Sequence, residues 1–129
     1  MIETLLWVML AGAVASVLRY LSSIYVRPSG AGIWAQFPWG IALVNIIGSF
    51  IAGWATGLAF GQIMPADVYA VVILGFCGGL TTMSTFAVDT MQLVKEGRLL
   101  AAAVNVVGTT TLAFLALSLG FAWSSGAFA

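Results

Sequence analysis

Long apolar stretches alternate with short polar segments along the chain, and this pattern predicts four membrane-spanning helices. A transmembrane helix needs about 20 consecutive, mostly apolar residues. Stretches of that length cover residues 4–26, 38–60, 68–93 and 99–123. Glycine, proline and charged residues separate them, as expected for turns. The pattern therefore predicts an all-α integral membrane protein with a single transmembrane domain, residues 1–129, and no soluble domain.

Composition supports a hydrocarbon environment and excludes several classes of function. The chain is 62% hydrophobic and 6% charged, with four basic and four acidic residues, whereas a soluble domain carries about 25% charged residues. Four scattered cations cannot form a nucleic-acid-binding stripe. With no histidine and one cysteine, Cys77, the chain cannot build a zinc site or a cysteine–histidine pair. No nucleophile has an adjacent base, so we expect no enzyme. The Met1-Ile2-Glu3 start lacks a basic region, which disfavours a cleaved signal peptide.

The few loop charges predict an orientation, and tryptophans indicate the membrane boundaries. Arg27, Lys95 and Arg98 fall in the first and third connections, so a positive-inside count places both termini outside. Four tryptophans lie near the predicted span ends, as in an aromatic belt: Trp7, Trp34, Trp39 and Trp123. Trp54 lies mid-span, where we assign it only packing.

Small and polar residues in the second span have two interpretations each. Gly53, Gly57 and Gly61 repeat every four residues, which indicates either ordinary close helix packing or a dedicated oligomer face. Asn45, Ser49, Gly53 and Thr56 share one helix face. Asn45 either makes an interhelical hydrogen bond or donates to a dehydrated ion in a pore.

The third span contains the most informative segment, because glycines and hydroxyls interrupt it between Gly75 and Phe86. Glycine-interrupted spans indicate a broken helix at a binding site. We predict a break near Gly78 to Thr81, with free backbone carbonyls able to coordinate a cation and Thr81 or Thr82 capping the second half-helix. The alternative is glycine packing with threonines bonded to the preceding turn.

Other in-span polar groups are candidates because they are costly in a membrane. Arg19 and Asp89 are the charges well inside the spans, and either pair with each other or act separately, with Arg19 reaching an aqueous vestibule. The fourth span contributes Asn105 and Thr109 to Thr111. Phe86 and Met83 share a face of the second half-helix, and a phenylalanine edge can attract an anion.

These motifs resemble the bacterial Fluc (CrcB) fluoride channels over essentially the whole chain. The resemblance lies in segment 12–20, in Trp39-Gly40 with Val44-Asn45 and Gly48, and above all in GFCGGLTTMSTF at residues 75–86. It implies an antiparallel, dual-topology homodimer in the inner membrane, with two fluoride pores and the third helix broken. The implied activity is passive fluoride export that protects the cell.

The resemblance also implies site residues. A structural sodium ion at the dimer centre would be held by backbone carbonyls of Gly78 and Thr81. The fluoride pathway would comprise Asn45, Met83, Ser84, Thr85 and Phe86, with hydroxyls from Thr109 or Thr110, and Arg19 would lie in the vestibule. Met83 replaces the family's usual phenylalanine, and Asp89 its usual glutamate.

Two other functions remain open from the residues alone. A small four-helix dual-topology multidrug transporter needs a carboxylate deep in its first span, where this chain has only Glu3 near the terminus. A structural membrane protein would need no glycine–hydroxyl break. The three basic loop residues also oppose dual insertion, since both topologies require a small charge bias.

Overall fold

A computed structural model describes residues 1–26, 32–34 and 37–126, and these residues are helical apart from short connections. Four helical segments are long and apolar enough to cross a membrane: Ile2–Tyr25, Trp39–Phe60, Ala66–Lys95 and Leu99–Gly126. We call them the first to fourth spans. They confirm the four predicted spans, with ends that differ by at most a few residues. Arg27 lies outside the described residues.

Side-chain size is distributed as expected for a protein whose outer surface meets lipid. Long apolar side chains point outward, for example Leu5, Met9 and Leu119, each more than half exposed. The buried positions are mostly small, such as Ala15 and Ala55, both 0% exposed. Helices in lipid associate through close van der Waals packing of small residues, because burying leucine against lipid or protein differs little.

The first span packs on the first half of the third span through glycines. A Cβ added at Gly75 would lie 2.7 Å from the carbonyl oxygen of Val8, and one at Gly79 would lie 2.5 Å from that of Gly12. Both positions therefore need glycine for backbone contact. These glycines lie within the helical segments Val71–Cys77 and Gly78–Leu80, so they pack the half-helix and do not themselves break it.

The glycine ridge of the second span packs within the chain. A Cβ at Gly53 would overlap the backbone of Leu117, and one at Gly57 would overlap the hydroxyl of Ser124, both in the fourth span. Gly120 returns the contact against Phe50. Two of the ridge's three members, Gly53 and Gly57, thus join the second and fourth spans, which favours ordinary helix packing over an oligomer face for them.

The third span is broken at Thr81 and Thr82, whose backbones are extended (ψ 154° and 127°). The first half-helix comprises residues 66–80, of which Val71–Cys77 form wide π-type turns. The second half-helix is Met83–Lys95. The predicted break is therefore present, at the C-terminal edge of the expected window.

The fourth span also contains a π-type segment, Asn105–Thr109, between helices Leu99–Val104 and Thr110–Gly126. Such a bulge adds a residue to one turn and often marks a functional site. It turns the buried side chains of Asn105 and Thr109 toward the second half-helix and its start.

Candidate functional site

A cavity of about 330 Å³ lies beside the break in the third span. Residues from three spans line it: Asn45, Ser49, Thr81, Thr82, Met83, Phe86, Thr109, Thr110 and Ala113. Most of the residues selected from sequence as a fluoride pathway therefore come together here. The lining side chains combine one amide, several hydroxyls and one aromatic ring, and none carries a formal charge.

The second span contributes two residues to the lining of this cavity. Asn45 and Ser49 face the cavity, whereas Gly53 packs on the fourth span. Thr56 donates a hydrogen bond to the carbonyl of Ala52 at 2.7 Å and lies 3.3 Å from the hydroxyl of Tyr69. The polar face predicted from helical spacing is real, but its two members nearest the break are the ones that form the site.

Asn45 binds the broken backbone with both ends of its amide. Its Nδ2 donates to the carbonyl oxygen of Thr82 at 3.2 Å, and its Oδ1 accepts the N–H of Thr82 at 2.8 Å. An extended residue presents both groups to one partner, as in a strand pair. Since Nδ2 carries two hydrogens, the second remains for another acceptor. The sequence interpretations of Asn45 as interhelical bond or pore donor are thus compatible.

Thr82 caps the second half-helix. Its Oγ1 accepts the N–H of Thr85 at 3.3 Å, which is the usual N-cap bond. The same hydroxyl donates to Oγ1 of Thr85 at 3.3 Å and lies 3.2 Å from Oγ of Ser84. Of the two expected capping residues, Thr82 performs this role, while Thr81 donates back to the carbonyl of Cys77 at 2.8 Å.

The break redirects two backbone N–H groups. In a continuous helix, the N–H groups of Thr82 and Thr85 would bond to the carbonyls of Gly78 and Thr81 respectively. Here they donate to Asn45 and to the Thr82 hydroxyl instead. The carbonyls of residues 78–81 lie at the C-terminal end of the first half-helix and all lose their ordinary helical donors; the two that the sequence resemblance singles out, Gly78 and Thr81, are among them.

Phe86 and Met83 both line the smaller cavity, but their side chains differ greatly in exposure. Phe86 is 8% exposed, whereas Met83 is 75% exposed, and both line the cavity. The buried ring is held in place by its surroundings, while the methionine side chain has room to move. The site therefore has one fixed aromatic and one adaptable thioether.

The fourth span contributes both of its candidate threonines. Thr109 is buried and donates to Oδ1 of Asn105 at 3.2 Å, whereas Thr110 is exposed. Both line the cavity. The sequence named Thr109 or Thr110 as alternatives, and the structure places both beside the break.

A second, wider cavity of about 540 Å³ lies next to the second half-helix. Thr85, Asp89 and Gln92 line it from that half-helix and Glu96 from just after its end, together with Ser23 and Phe37. Thr85 lines this cavity and Thr82 lines the smaller one, and their hydroxyls are 3.3 Å apart, so the two cavities are neighbours. We call the larger one the vestibule.

The two in-span charges occupy different environments. Asp89 lines the vestibule, but Arg19 lines neither cavity and lies half-buried on the first span. Arg19 therefore does not line the cavity that we call the vestibule, and the expectation that its side chain reaches an aqueous entrance to the pore stays a prediction. Ser84 is exposed and joins the site through its contact with Thr82.

Sequence reasoning overlooked two features of the site. The first is the pair of hydrogen bonds between Asn45 and the Thr82 backbone. To predict them, one must know the exact residue at which the helix breaks, and the glycine pattern did not give it. The second is the position of Asn105, which depends on the π-type segment that turns its side chain toward the second half-helix. The available signal was an asparagine within an apolar span.

Comparison with known proteins gives a consistent result. A family described as "CrcB-like protein, Camphor Resistance (CrcB)" matches residues 6–121. A curated "Fluoride-specific ion channel FluC" from Methylobacterium radiotolerans is 36% identical, covering 96% of this chain and 89% of that protein. Proteins of the same name from Phocaeicola vulgatus (35% identical, 95% and 98% covered) and Helicobacter pylori (35%, 90% and 88%) are similar over comparable lengths.

Proposed function

Because this chain belongs to the CrcB family, whose members include curated fluoride-specific ion channels, we propose that it conducts fluoride passively and selectively across a membrane. The family is one of ion channels, so the expectation that the chain is not an enzyme is confirmed. The four apolar spans agree with a multi-pass membrane protein.

The observation that carries this proposal is the neutral, donor-lined cavity at the break. Fluoride is small and strongly hydrated, so a selective pore must replace its water with fixed hydrogen-bond donors. Asn45 retains one amide hydrogen, and the hydroxyls of Ser49 and Thr110 line the same space, whereas Thr81 gives its proton to the carbonyl of Cys77. Neutral donors stabilise an anion without the tight binding that a buried cation would cause.

The proposed path runs from the vestibule to the cavity along hydroxyl groups. The ion first contacts Thr85 and Ser84. It then passes the Thr82 hydroxyl, which is bonded to Thr85, and enters the smaller cavity. In the cavity, the ion passes Asn45 and the wall formed by Phe86 and Met83. A ring edge there offers a partial positive charge.

The proposed channel is an antiparallel, dual-topology homodimer with two pores. Support comes from the second half-helix, whose apolar residues Met83, Val88 and Met91 are each more than half exposed within one chain. A second copy would cover this surface. In detergent, the protein should have twice the mass of one chain, and Lys95→Cys in sealed vesicles should react with an impermeant maleimide about equally from both sides. A mass equal to one chain would contradict the homodimer, and labelling from one side only would contradict the dual topology.

A structural sodium ion at the dimer centre is also proposed. Its support is the pair of carbonyls on Gly78 and Thr81, whose helical donors bond elsewhere, and carbonyl oxygens are suitable ligands for a hard cation. Purification with sodium replaced by N-methyl-D-glucamine should lower the melting temperature of the dimer, and readdition of sodium should restore it. A melting temperature that ignores sodium would remove the ion from the proposal.

In the cell, the proposed location is the bacterial inner membrane, where passive flow would export fluoride and reduce its toxicity. Expression in a bacterium lacking its own fluoride channel should restore growth in millimolar fluoride. The direct test is efflux from proteoliposomes followed with a fluoride electrode, against chloride in a parallel sample. Fluoride should leave rapidly and chloride should stay, and equal rates for both anions would overturn the proposal.

A further inference from the structure

Asn105 is the largest polar side chain that the described structure buries completely, with 0% exposure. A buried amide is costly unless its donors and acceptor are bonded. Asn105 lies at the start of the π-type segment of the fourth span, outside the lining of both cavities. Such a side chain needs a reason, because an apolar residue of similar size would pack at lower cost.

The amide of Asn105 connects two elements of the site. Its Nδ2 donates to Oγ1 of Thr90 at 2.9 Å, and the Thr90 hydroxyl donates in turn to the carbonyl oxygen of Phe86 at 2.7 Å. On the other side, the hydroxyl of Thr109 donates to Oδ1 of Asn105 at 3.2 Å. The chain of bonds therefore begins and ends at residues that line the cavity, Thr109 and Phe86.

The direction of each bond follows from the donors available. Thr90 accepts from the amide, so its own proton is free to hold the Phe86 carbonyl. Thr109 has one proton and gives it to Asn105, so it presents lone pairs, not a donor, to the cavity. For Thr109 to donate to an anion, the buried Asn105 oxygen would lose its partner, which costs about 1–3 kcal/mol.

We propose that Asn105 is a positioning residue that sets the anion selectivity of the pore. It acts through Thr90 by fixing the backbone of Phe86, and through Thr109 by withholding a donor from the opposite wall. A fixed ring and a limited number of donors keep the cavity fitted to a small anion. Once this network is broken, the wall loosens and gains a free hydroxyl, which admits the larger chloride ion. This inference depends on the proposed fluoride conduction.

The test uses variants of the full-length protein in proteoliposomes, with initial fluoride and chloride efflux measured separately. Asn105→Leu removes both arms at similar volume, and Thr90→Val removes only the arm to Phe86. Each should lower the fluoride-to-chloride rate ratio by about tenfold, the equivalent of one hydrogen bond. Thr90→Ser keeps the hydroxyl and should retain the ratio of the unmodified protein.

Ser124→Ala is the matched control for loss of a buried polar group in the same span. Ser124 is 1% exposed, and among the described residues its hydroxyl bonds to two carbonyls of its own helix, Gly120 and Phe121. This variant should leave the ratio unchanged even if it lowers stability. If the role of Asn105 were purely structural, Asn105→Leu would behave like this control: the amount of folded protein would fall and the ratio would stay unchanged.

The double variant Asn105→Leu, Thr90→Val separates action through Thr90 from independent effects. Its fluoride-to-chloride ratio should match that of Asn105→Leu alone, since both changes interrupt the same path, which runs from Asn105 through Thr90 to Phe86. An unaltered ratio in Thr90→Val would overturn the inference, and this single variant also decides the matter if Asn105→Leu does not fold. If the unmodified protein shows no preference for fluoride, the proposed function itself fails, which is a different result from selective protein with unchanged variants.

Discussion

Replacing Asn45 with aspartate changes the amide NH2 group to an oxygen while preserving the shape of the side chain, so both N–H donors are lost. Oδ1 still accepts a hydrogen bond from the Thr82 N–H, and the N···O distance of this bond is 2.8 Å in the unmodified protein. The other end now places an oxygen 3.2 Å from the Thr82 carbonyl, where Nδ2 formerly donated. The variant therefore keeps one half of the backbone contact, loses the other and adds a negative charge to the cavity.

The charge is the larger effect. Loss of the hydrogen bond costs about 0.5–1.5 kcal/mol. Repulsion between unit charges about 4 Å apart is about 4 kcal/mol at an effective dielectric constant of about 20. At about 1.4 kcal/mol for each factor of ten, fluoride flux should fall by about 10³-fold.

The assay is initial fluoride efflux from proteoliposomes at equal protein density. Gln62→Glu is the matched control, because it makes the same amide-to-carboxylate change at an exposed turn between the second and third spans. It should conduct like the unmodified protein. Flux through Asn45→Asp within tenfold of the unmodified rate would remove Asn45 from the fluoride path.

Three further predictions concern packing, capping and the variable wall. Gly53→Ala should lower the free energy of unfolding by about 1–3 kcal/mol, because its Cβ overlaps the fourth span; Gly61→Ala on the same ridge meets atoms only at 3.6 Å or beyond and should not, and equal melting temperatures would refute the packing. Thr82→Ala should cost about 0.5–2 kcal/mol of stability through loss of the cap, with Thr82→Ser close to the unmodified protein in thermal unfolding; identical curves for both would contradict the capping role. Met83→Phe should retain fluoride flux at a changed rate, since a ring with a positive edge would replace a flexible thioether in the lining of the cavity; complete loss of flux would refute the alignment of this position with the family's phenylalanine.

Much of the fold follows from the sequence because hydrocarbon imposes simple rules. Span length and apolar content are set by membrane thickness, so the four spans were predictable to within a few residues. The break was also predictable from the glycine–threonine segment, but for a partly wrong reason. The glycines at 75 and 79 pack against the first span, and the extended backbone falls on the two threonines, where Asn45 supplies a substitute partner.

The site was predictable as a set of residues and not as a network. Asn45, Phe86 and Thr109 could be selected because polar groups in spans are rare and the motif resembles a known family. Which hydroxyl faces the cavity depends on tertiary geometry: Thr109 gives its proton to Asn105, while Thr85 faces the vestibule. Sequence spacing on one helix carries no information about a bond to another helix, so Asn105 received no role.

The membrane potential across proteoliposomes with a tenfold fluoride gradient tests passive, fluoride-selective conduction most directly. With chloride equal on both sides, a channel selective for fluoride predicts a potential near the fluoride equilibrium value, about 59 mV at 25 °C for one charge per tenfold gradient. Reversing the gradient should reverse its sign. A potential that stays near zero under the fluoride gradient, or one that instead follows an imposed chloride gradient, would contradict the account.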